Sequence, residues 1–363
     1  MFGNIYKDKV VLITGHTGFK GSWLALWLKE LGAKVVGYSL NLPSTPNHFE
    51  LLALDIVSII GDIRDRGKLA ETFNKYRPEI VFHLAAQPLV RHSYKDPIYT
   101  FETNIMGTVN VFETCRQIES IRAIVNITSD KCYENREWVW GYRENDPMGG
   151  YDPYSASKGC AELVTNSYRN SFFNLKDHGK SHHILLASAR AGNVIGGGDW
   201  GEDRLIPDIV KAASKNESVL IRSPKATRPW QHVLEPLSGY LLLGQKLLEG
   251  KKEFAEGWNF GPNDERSLTV QEVLESIKQD WHKIAYFIQQ QTGQMHETNL
   301  LRLDCSRAHI NLKWGSVWNA SKVLEKTVNW YKKYYEENAV DSMDDLASYL
   351  SDARSKQAEW TKV

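Results

Sequence analysis

The chain has 363 residues, 42% of them hydrophobic and 24% charged, with 44 Lys plus Arg against 44 Asp plus Glu. That is the composition of a soluble globular protein of one large or two intimate domains. A net charge of +0 excludes attachment to nucleic acid or an anionic membrane by bulk charge, though not a local basic pocket.

No apolar run reaches the ~18 residues that span a bilayer. Met1–Lys9 leads straight into Val10-Val11-Leu12-Ile13 with no apolar leader, so no signal peptide is predicted. Cys115, Cys132, Cys160 and Cys305 lie far apart without C-x-x-C spacing. This argues against disulfides and zinc and for a reducing cytoplasm. The histidines, His182-His183 included, show no three-ligand spacing, and no metal is predicted.

In chain order, short apolar runs fall at Val10–Thr14, Lys34–Tyr38, Ser58–Gly61, Ile80–Ala86, Arg122–Thr128 and Ile184–Ala189. Continuous Val/Ile runs of this length read as buried parallel strands. Helical patterns separate them at Ser22–Leu31, Arg66–Tyr76, Pro97–Gln117 and Pro153–Asn174, with Gly32 as the C′ residue of the first. The alternation predicts an α/β fold, a Rossmann-type doubly wound parallel sheet over residues 1–200. From Trp200 onward prolines punctuate shorter elements, with helices at Thr269–Gln279 and Ser321–Tyr335. Residues 201–363 are read as mainly a smaller α/β lobe that holds substrate, open to being interwoven with the first.

The first strand runs into Gly15-His-Thr-Gly18-Phe19-Lys-Gly21. Glycines let the backbone turn tightly and approach a pyrophosphate, and the following helix N-terminus offers free N–H groups. The spacing G-x-x-G-x-x-G is one residue longer than the commonest fingerprint, and Lys20 precedes Gly21, which excludes a Walker A loop. Gly15, Thr17, Gly18, Phe19 and Gly21 are thus candidates for cofactor contact. A plain strand–helix turn is the bland alternative.

The second strand ends Tyr38-Ser39-Leu40-Asn41, with neither the acid that binds an NAD ribose nor an Arg for a 2′-phosphate. Neutral polar groups can bind two hydroxyls, which favours NAD over NADP. Asp62, followed by Ile63, stands where an adenine amino group is bound, or caps the next helix.

Tyr154-Ser-Ala-Ser-Lys158 places a phenol and an ammonium at i and i+4 on one helix face, where the cation favours phenolate. The fifth strand ends in Ser129-Asp130-Lys131. There Ser129 can bind a hydroxyl, Asp130 can give a proton, and Lys131 can take one if its pKa is lowered. A strand-end Asp130–Lys131 ion pair is the bland alternative.

Thr14-Gly-x-x-Gly-x-x-Gly21, His83-Leu84-Ala85-Ala86-Gln87, Asn104, the Ser129 strand end and Tyr154-x-x-x-Lys158 occur in the order seen in extended short-chain dehydrogenases/reductases. Within that family the chain resembles the nucleotide-sugar 4,6-dehydratases. The likeness rests on Gly15–Trp23, Ser129–Asn135, Arg190–Trp200 and Arg228–Pro236, and covers roughly residues 5–335. The thymidine branch carries Thr-Asp-Glu at the strand end. Ser129-Asp130-Lys131 departs from that and matches the cytidine branch.

The resemblance implies tightly bound NAD, held also by Leu84, Ala85, Ala86 and Asn104. It implies the substrate CDP-glucose and a net loss of water: oxidation at C4, proton loss at C5, departure of the C6 hydroxyl, reduction at C6. Tyr154 then takes the C4 hydroxyl proton, Asp130 protonates the leaving group and Lys131 is the base at C5. Gln87, Arg91, Asn193, Arg204, Arg228, Gln231 and Arg302 are the implied substrate contacts, with Trp230 a candidate to stack on the base. The segment Tyr133–Gly150 is long for a strand–helix loop and a candidate cover for the sugar.

Helices 97–117 and 153–174 are long enough to form a two-helix face, and the resemblance implies a homodimer through a four-helix bundle there; the sequence alone also allows a monomer. The product would feed 6-deoxy- and 3,6-dideoxy-sugars of surface polysaccharide such as the O-antigen of lipopolysaccharide. Two other readings stay open. One is an epimerase, reductase or dehydratase acting on a dTDP-, GDP- or UDP-hexose. The other is a catalytically silent NAD-binding regulator.

Overall fold

In the computed structural model the described residues are 1–221, 223–262, 268–289 and 300–362. The central sheet is built from β1 (Val10–Thr14), β2 (Lys34–Ser39), β3 (Val57–Ile60), β4 (Ile80–His83), β5 (Ala123–Ile127), β6 (Leu185–Ala191) and β7 (Gly257–Phe260). Every neighbouring pair is parallel, in the order β7-β6-β5-β4-β1-β2-β3. The order reverses at β1, and the carboxyl ends of β1 and β4 part there to leave the crevice in which such sheets bind ligands.

Side chains alternate across a strand, and both faces of this sheet are covered. Val11, Ile13, Ile80, Phe82, Ala123 and Val125 pack on Trp23 and Trp27 of α1 (Phe19–Glu30). Leu12, Val81 and Ile124 point the other way, onto Leu69 and Phe73 of α2 (Arg66–Tyr76) and Val111 and Phe112 of α3 (Gly107–Arg116). Double coverage explains why the strands read as unbroken apolar runs. The helix α4 (Pro153–Ser171) joins the α3 side, with Tyr168 buried against Phe112. The helix α5 (Leu234–Leu248) runs beneath β5 and β6, buried along most of its length.

After residue 200 the chain returns to the large sheet through α5 and β7. Among the described residues three two-stranded pairs add to the large sheet: Ser218–Ile221 with Ala285–Ile288, Thr227–Arg228 with Leu268–Thr269, and Val194–Ile195 with Gln231–His232. The helices α6 (Ala320–Glu337) and α7 (Ser342–Ser355) follow. The tail then packs under the N-terminus. Trp360 stacks on Phe2 at 5.3 Å and on Tyr349 at 5.9 Å.

Two expectations are corrected. The segment 97–117 is not one regular helix: it runs Pro97–Phe101, a π-helical turn at Glu102–Met106, then α3. The extra residue per turn accompanies Asn104 turning inward, where Nδ2 donates to Ser157 Oγ at 2.8 Å. The first helix begins at Phe19, three residues earlier than expected, because Gly18 takes the N-cap position.

Candidate active site

The glycine turn folds back on itself. Gly15 has φ +81°, and a Cβ there would meet the Ala85 nitrogen at 2.8 Å; at Gly21 a Cβ would collide with the Gly15 carbonyl. Glycine is therefore required at both positions. The N-cap residue Gly18 supplies no side-chain cap, so α1 presents its first N–H groups to the crevice. Thr14 Oγ1 accepts from the Leu84 and Ala85 nitrogens, both at 3.2 Å, and ties the β1 and β4 ends together. Thr17 Oγ1 bonds Ser39 Oγ at 2.7 Å. An uncapped helix start behind a bare glycine cradle fits a dinucleotide pyrophosphate.

Beyond the cradle, Tyr38 donates to the Asp62 carbonyl at 2.9 Å. Burial raises the Asp62 carboxyl, but hydrogen bonds from Arg64, one at 2.7 Å, hold it below its ordinary value. Asp65, not Asp62, caps α2. Ile63 packs beside Gly107, where a Cβ would strike it. Gln87 and Asn104 form a clamp. Gln87 N donates to Asn104 Oδ1 at 2.8 Å and Asn104 Nδ2 to the Gln87 carbonyl at 3.1 Å. The Gln87 amide also donates to Thr100 Oγ1 and accepts from Leu89 N.

The β5 end turns at Ser129, which caps the short turn Asp130–Cys132 by accepting from Lys131 N at 3.2 Å. Ser129 Oγ donates to Asp130 Oδ1 at 2.8 Å. Asp130 is 4% exposed. Among the described residues its partner is Ser129, and no ion pair to Lys131 is present.

Asp152 caps α4 through Ser155 and sets Tyr154 and Lys158 into the site, 8% and 6% exposed. Burial pushes the Tyr154 phenol up to about 12, the Ser129 hydroxyl and Arg204 working against it and Asp130 with it. Burial brings Lys158 down to about 8, opposed by Cys132 and Glu162.

A second lysine, which sequence reasoning set aside, enters here. Lys20 of the glycine turn is brought down to about 8, by burial and then by Lys158 and Arg204, with Asp130 opposing. Its ammonium stands 6.0 Å from the Tyr240 ring centroid. Tyr240 is buried on α5, and its hydroxyl has no hydrogen-bond partner among the described residues. A cation inside a glycine turn was the available signal for Lys20; nothing in the sequence marked Tyr240.

Across the crevice, Gly192 and Asn193 follow β6, and a Cβ on Gly192 would stand 3.3 Å from Asp130 Oδ2. Arg204 pairs with Asp199 at 2.8 Å and Arg91 with Asp203 at 2.9 Å. Arg228 donates to the Thr227 carbonyl at 2.9 Å. Gln231 is buried and donates to the Phe260 carbonyl at 3.2 Å. Its Oε1, like Trp230 Nε1, has no partner among the described residues. The Arg302 carbonyl accepts from Tyr142 N. Ser129, Asp130, Tyr154, Lys158, Lys20 and Arg204 thus share one electrostatic neighbourhood. Gln87 and Asn104 spend their polar atoms holding the loop after β4.

This arrangement can hold a dinucleotide beside a polar substrate, move a proton at a phenol and offer one from a buried carboxyl. It is the site of a nucleotide-dependent enzyme of the doubly wound class. The family model described as GDP-mannose 4,6 dehydratase matches residues 12–327, and the chain belongs to that nucleotide-sugar dehydratase family. Among its relatives, CDP-glucose 4,6-dehydratase of Salmonella typhimurium is 53% identical over 352 residues, 96% of this chain and 98% of that protein. dTDP-D-glucose 4,6-dehydratase of Dictyostelium discoideum is 25% identical, over 93% and 85%. Among solved structures, the epimerase Mth375 of Methanothermobacter thermautotrophicus superposes with a TM-score of 0.79, at 23% identity over 93% and 96% of the two chains. This last likeness bears on the fold alone.

Proposed function

We propose that the chain is a CDP-glucose 4,6-dehydratase, which converts CDP-glucose to CDP-4-dehydro-6-deoxyglucose and water with NAD as a resident cofactor. The observation that carries this reading is the buried Asp130, hydrogen-bonded by Ser129 and facing Tyr154, in a chain 53% identical to an enzyme of that name. An epimerase has no step that needs a carboxyl to protonate a departing hydroxyl.

The glycine cradle and the α1 N-terminus hold the cofactor pyrophosphate, with Thr17, Phe19, Asp62, Ile63 and Leu84–Ala86 along its length. Bound NAD supplies the electron-pair acceptor for C4 and the donor for C6. Every other task falls to the chain. Tyr154 accepts the C4 hydroxyl proton, and Lys158 makes that possible by stabilising the phenolate. Ser129 orients the hydroxyl. Asp130 gives its proton to the C6 hydroxyl as it leaves, and Lys131 takes the C5 proton. Arg204, Arg228, Arg91, Arg302, Asn193 and Gln231 hold the diphosphate and the sugar, and the free Gln231 Oε1 and Trp230 Nε1 offer an acceptor and a donor.

Ile98, Phe101, Met106 and Leu163 are exposed on the Pro97–Arg116 and α4 helices. They support a homodimer through a four-helix face. A cytoplasmic enzyme that feeds deoxysugar synthesis for surface polysaccharide completes the reading.

The test is incubation with CDP-glucose and, separately, dTDP-glucose, with and without added NAD. Loss of one water from CDP-glucose alone, without accumulation of NADH, is the expected result. No mass change with either sugar, together with bound NAD in the denatured protein, would return the chain to an epimerase or a binding protein.

A further inference from the structure

Behind the site lies a charge pair that the chemistry above does not use. Glu162 stands one turn beyond Lys158 on α4 and is 4% exposed, as is Arg190 on β6. Glu162 Oε2 accepts from Arg190 Nη2 at 2.8 Å and from Ser188 Oγ at 2.7 Å; Oε1 accepts from Thr128 Oγ1 at 2.5 Å. A buried ion pair is a weak device for stability alone, because desolvating two charges offsets most of their attraction. This one reaches outward. Arg190 Nη1 donates to the Tyr133 hydroxyl at 2.6 Å and to the Glu144 carbonyl at 3.0 Å. Tyr133 in turn donates to Asn259 Oδ1 at 2.7 Å. One connected network therefore touches the residue before Ser129, the residue after the Asp130–Cys132 turn, the helix of Lys158 and the 133–150 segment.

We propose that Glu162 and Arg190 are positioning residues for the dehydration. They fix the Asp130–Cys132 turn against the Lys158 face of α4 and hold the 133–150 segment in place over that site. The inference rests on the activity proposed above.

The pair also has an electrostatic reach. Lys158 is faced by Glu162 from its own helix, by Cys132 from the turn, by His83 from β4 and by Lys20 from α1. Tyr154 is faced by Ser129, Asp130, Asp152 and Arg204. Glu162 itself is faced by Arg190 from β6, by Arg169 from α4, and by Cys132 and Tyr133 from the turn. Glu162 is the carboxylate whose charge supports the Lys158 ammonium.

Two variants test this. Glu162→Gln keeps the shape and removes the charge. Both Lys158 and Tyr154 should then lose their protons at lower pH, moving both limbs of the kcat–pH profile about one pH unit toward acid. Tyr133→Phe keeps the ion pair and removes the hydroxyl that links it to the turn. It should lower kcat about 10- to 100-fold with KM and both limbs in place. A purely structural pair would lower the melting temperature and leave kcat and the limbs alone, and that result overturns the proposal.

If Glu162→Gln does not fold, Tyr133→Phe decides: kcat within about twofold of the parent ends the proposal. The phenolate difference spectrum between the parent and Tyr154→Phe, repeated in the Glu162→Gln background, reads the same shift without substrate. An unmoved phenolate there counts against the pair. Failure of the parent to dehydrate CDP-glucose sinks only the reading of the activity.

Discussion

Asp130 and Gly192 share a boundary with no slack. A methyl on Gly192 would stand 3.3 Å from Asp130 Oδ2, and Pro229 Cγ closes the other side at 3.5 Å. The β6 end thus sets where the carboxyl points. Gly192→Ala should displace that carboxyl by a few tenths of an ångström without unfolding the chain. The expected outcome is a fall in kcat of about tenfold with little change in KM, since misplacing a proton donor costs rate before binding. Steady-state kinetics with CDP-glucose checks it.

Removing the carboxyl is the sharper experiment. Asp130→Asn keeps the volume and an acceptor for Ser129 Oγ but has no acidic proton. Formation of the dehydrated product should fall by about 10²–10⁴-fold, the usual worth of a general acid. Binding of CDP-glucose, followed by calorimetry, should stay within about threefold, because the role proposed for Asp130 falls late in the reaction. An equal loss of binding would make Asp130 a substrate anchor instead.

Strands β1, β4 and β5 were legible because both sheet faces are buried, so Val10–Thr14 and its neighbours carry unbroken apolar runs. Gly15, Gly21, Tyr154 and Lys158 were legible because each chemistry demands a residue type at a fixed spacing. Long-range features were not. The β7 strand Gly257–Phe260 is four residues long and is a strand only because β6 lies beside it. The π turn at Glu102–Met106 depends on Asn104 reaching Gln87 and Ser157. Lys20 lay in plain view, yet its meaning depends on Asp130 and Lys158 arriving from elsewhere in the chain. The tail after Glu336 gave no signal, because Trp360 and Tyr349 also depend on distant partners, Phe2 for the first and Glu235 for the second.

One carboxylate ties that tail to α5 and to the 317–318 turn. Buried Glu235 accepts from the Val317 and Trp318 nitrogens at 2.9 and 2.8 Å and from the Tyr349 hydroxyl at 2.7 Å. Burial lifts its pKa to about 7, against these hydrogen bonds. The folded state therefore binds the proton more tightly than the unfolded chain, and stability falls as pH rises from about 4.5 through 7. Tyr349→Phe takes one donor from the charged form. It should cost about 1–3 kcal/mol at pH 8 and less at pH 5.5, where Glu235 carries its proton. Thermal melts at the two pH values check this, with CDP-glucose turnover at permissive temperature unchanged.

Lys158 should show the opposite balance between stability and function. Burial brings its pKa down from 10.5 to about 8, so between those values the folded state binds fewer protons than the unfolded chain. Stability then rises with pH across that window, and the burden of the buried ammonium is full below about 8. Lys158→Met removes the burden together with the function. At pH 7 the variant should melt about 2–5 °C higher than the parent, a gain of about 1–2 kcal/mol in a chain of this size. The advantage should shrink toward zero as pH approaches 10.5. Turnover should fall by about 10²–10⁴-fold, because the role proposed for Lys158 is to stabilise the phenolate of Tyr154, whose phenol burial lifts to about 12. A variant that melts lower than the parent at pH 7 would mean that Lys158 holds the site together rather than straining it.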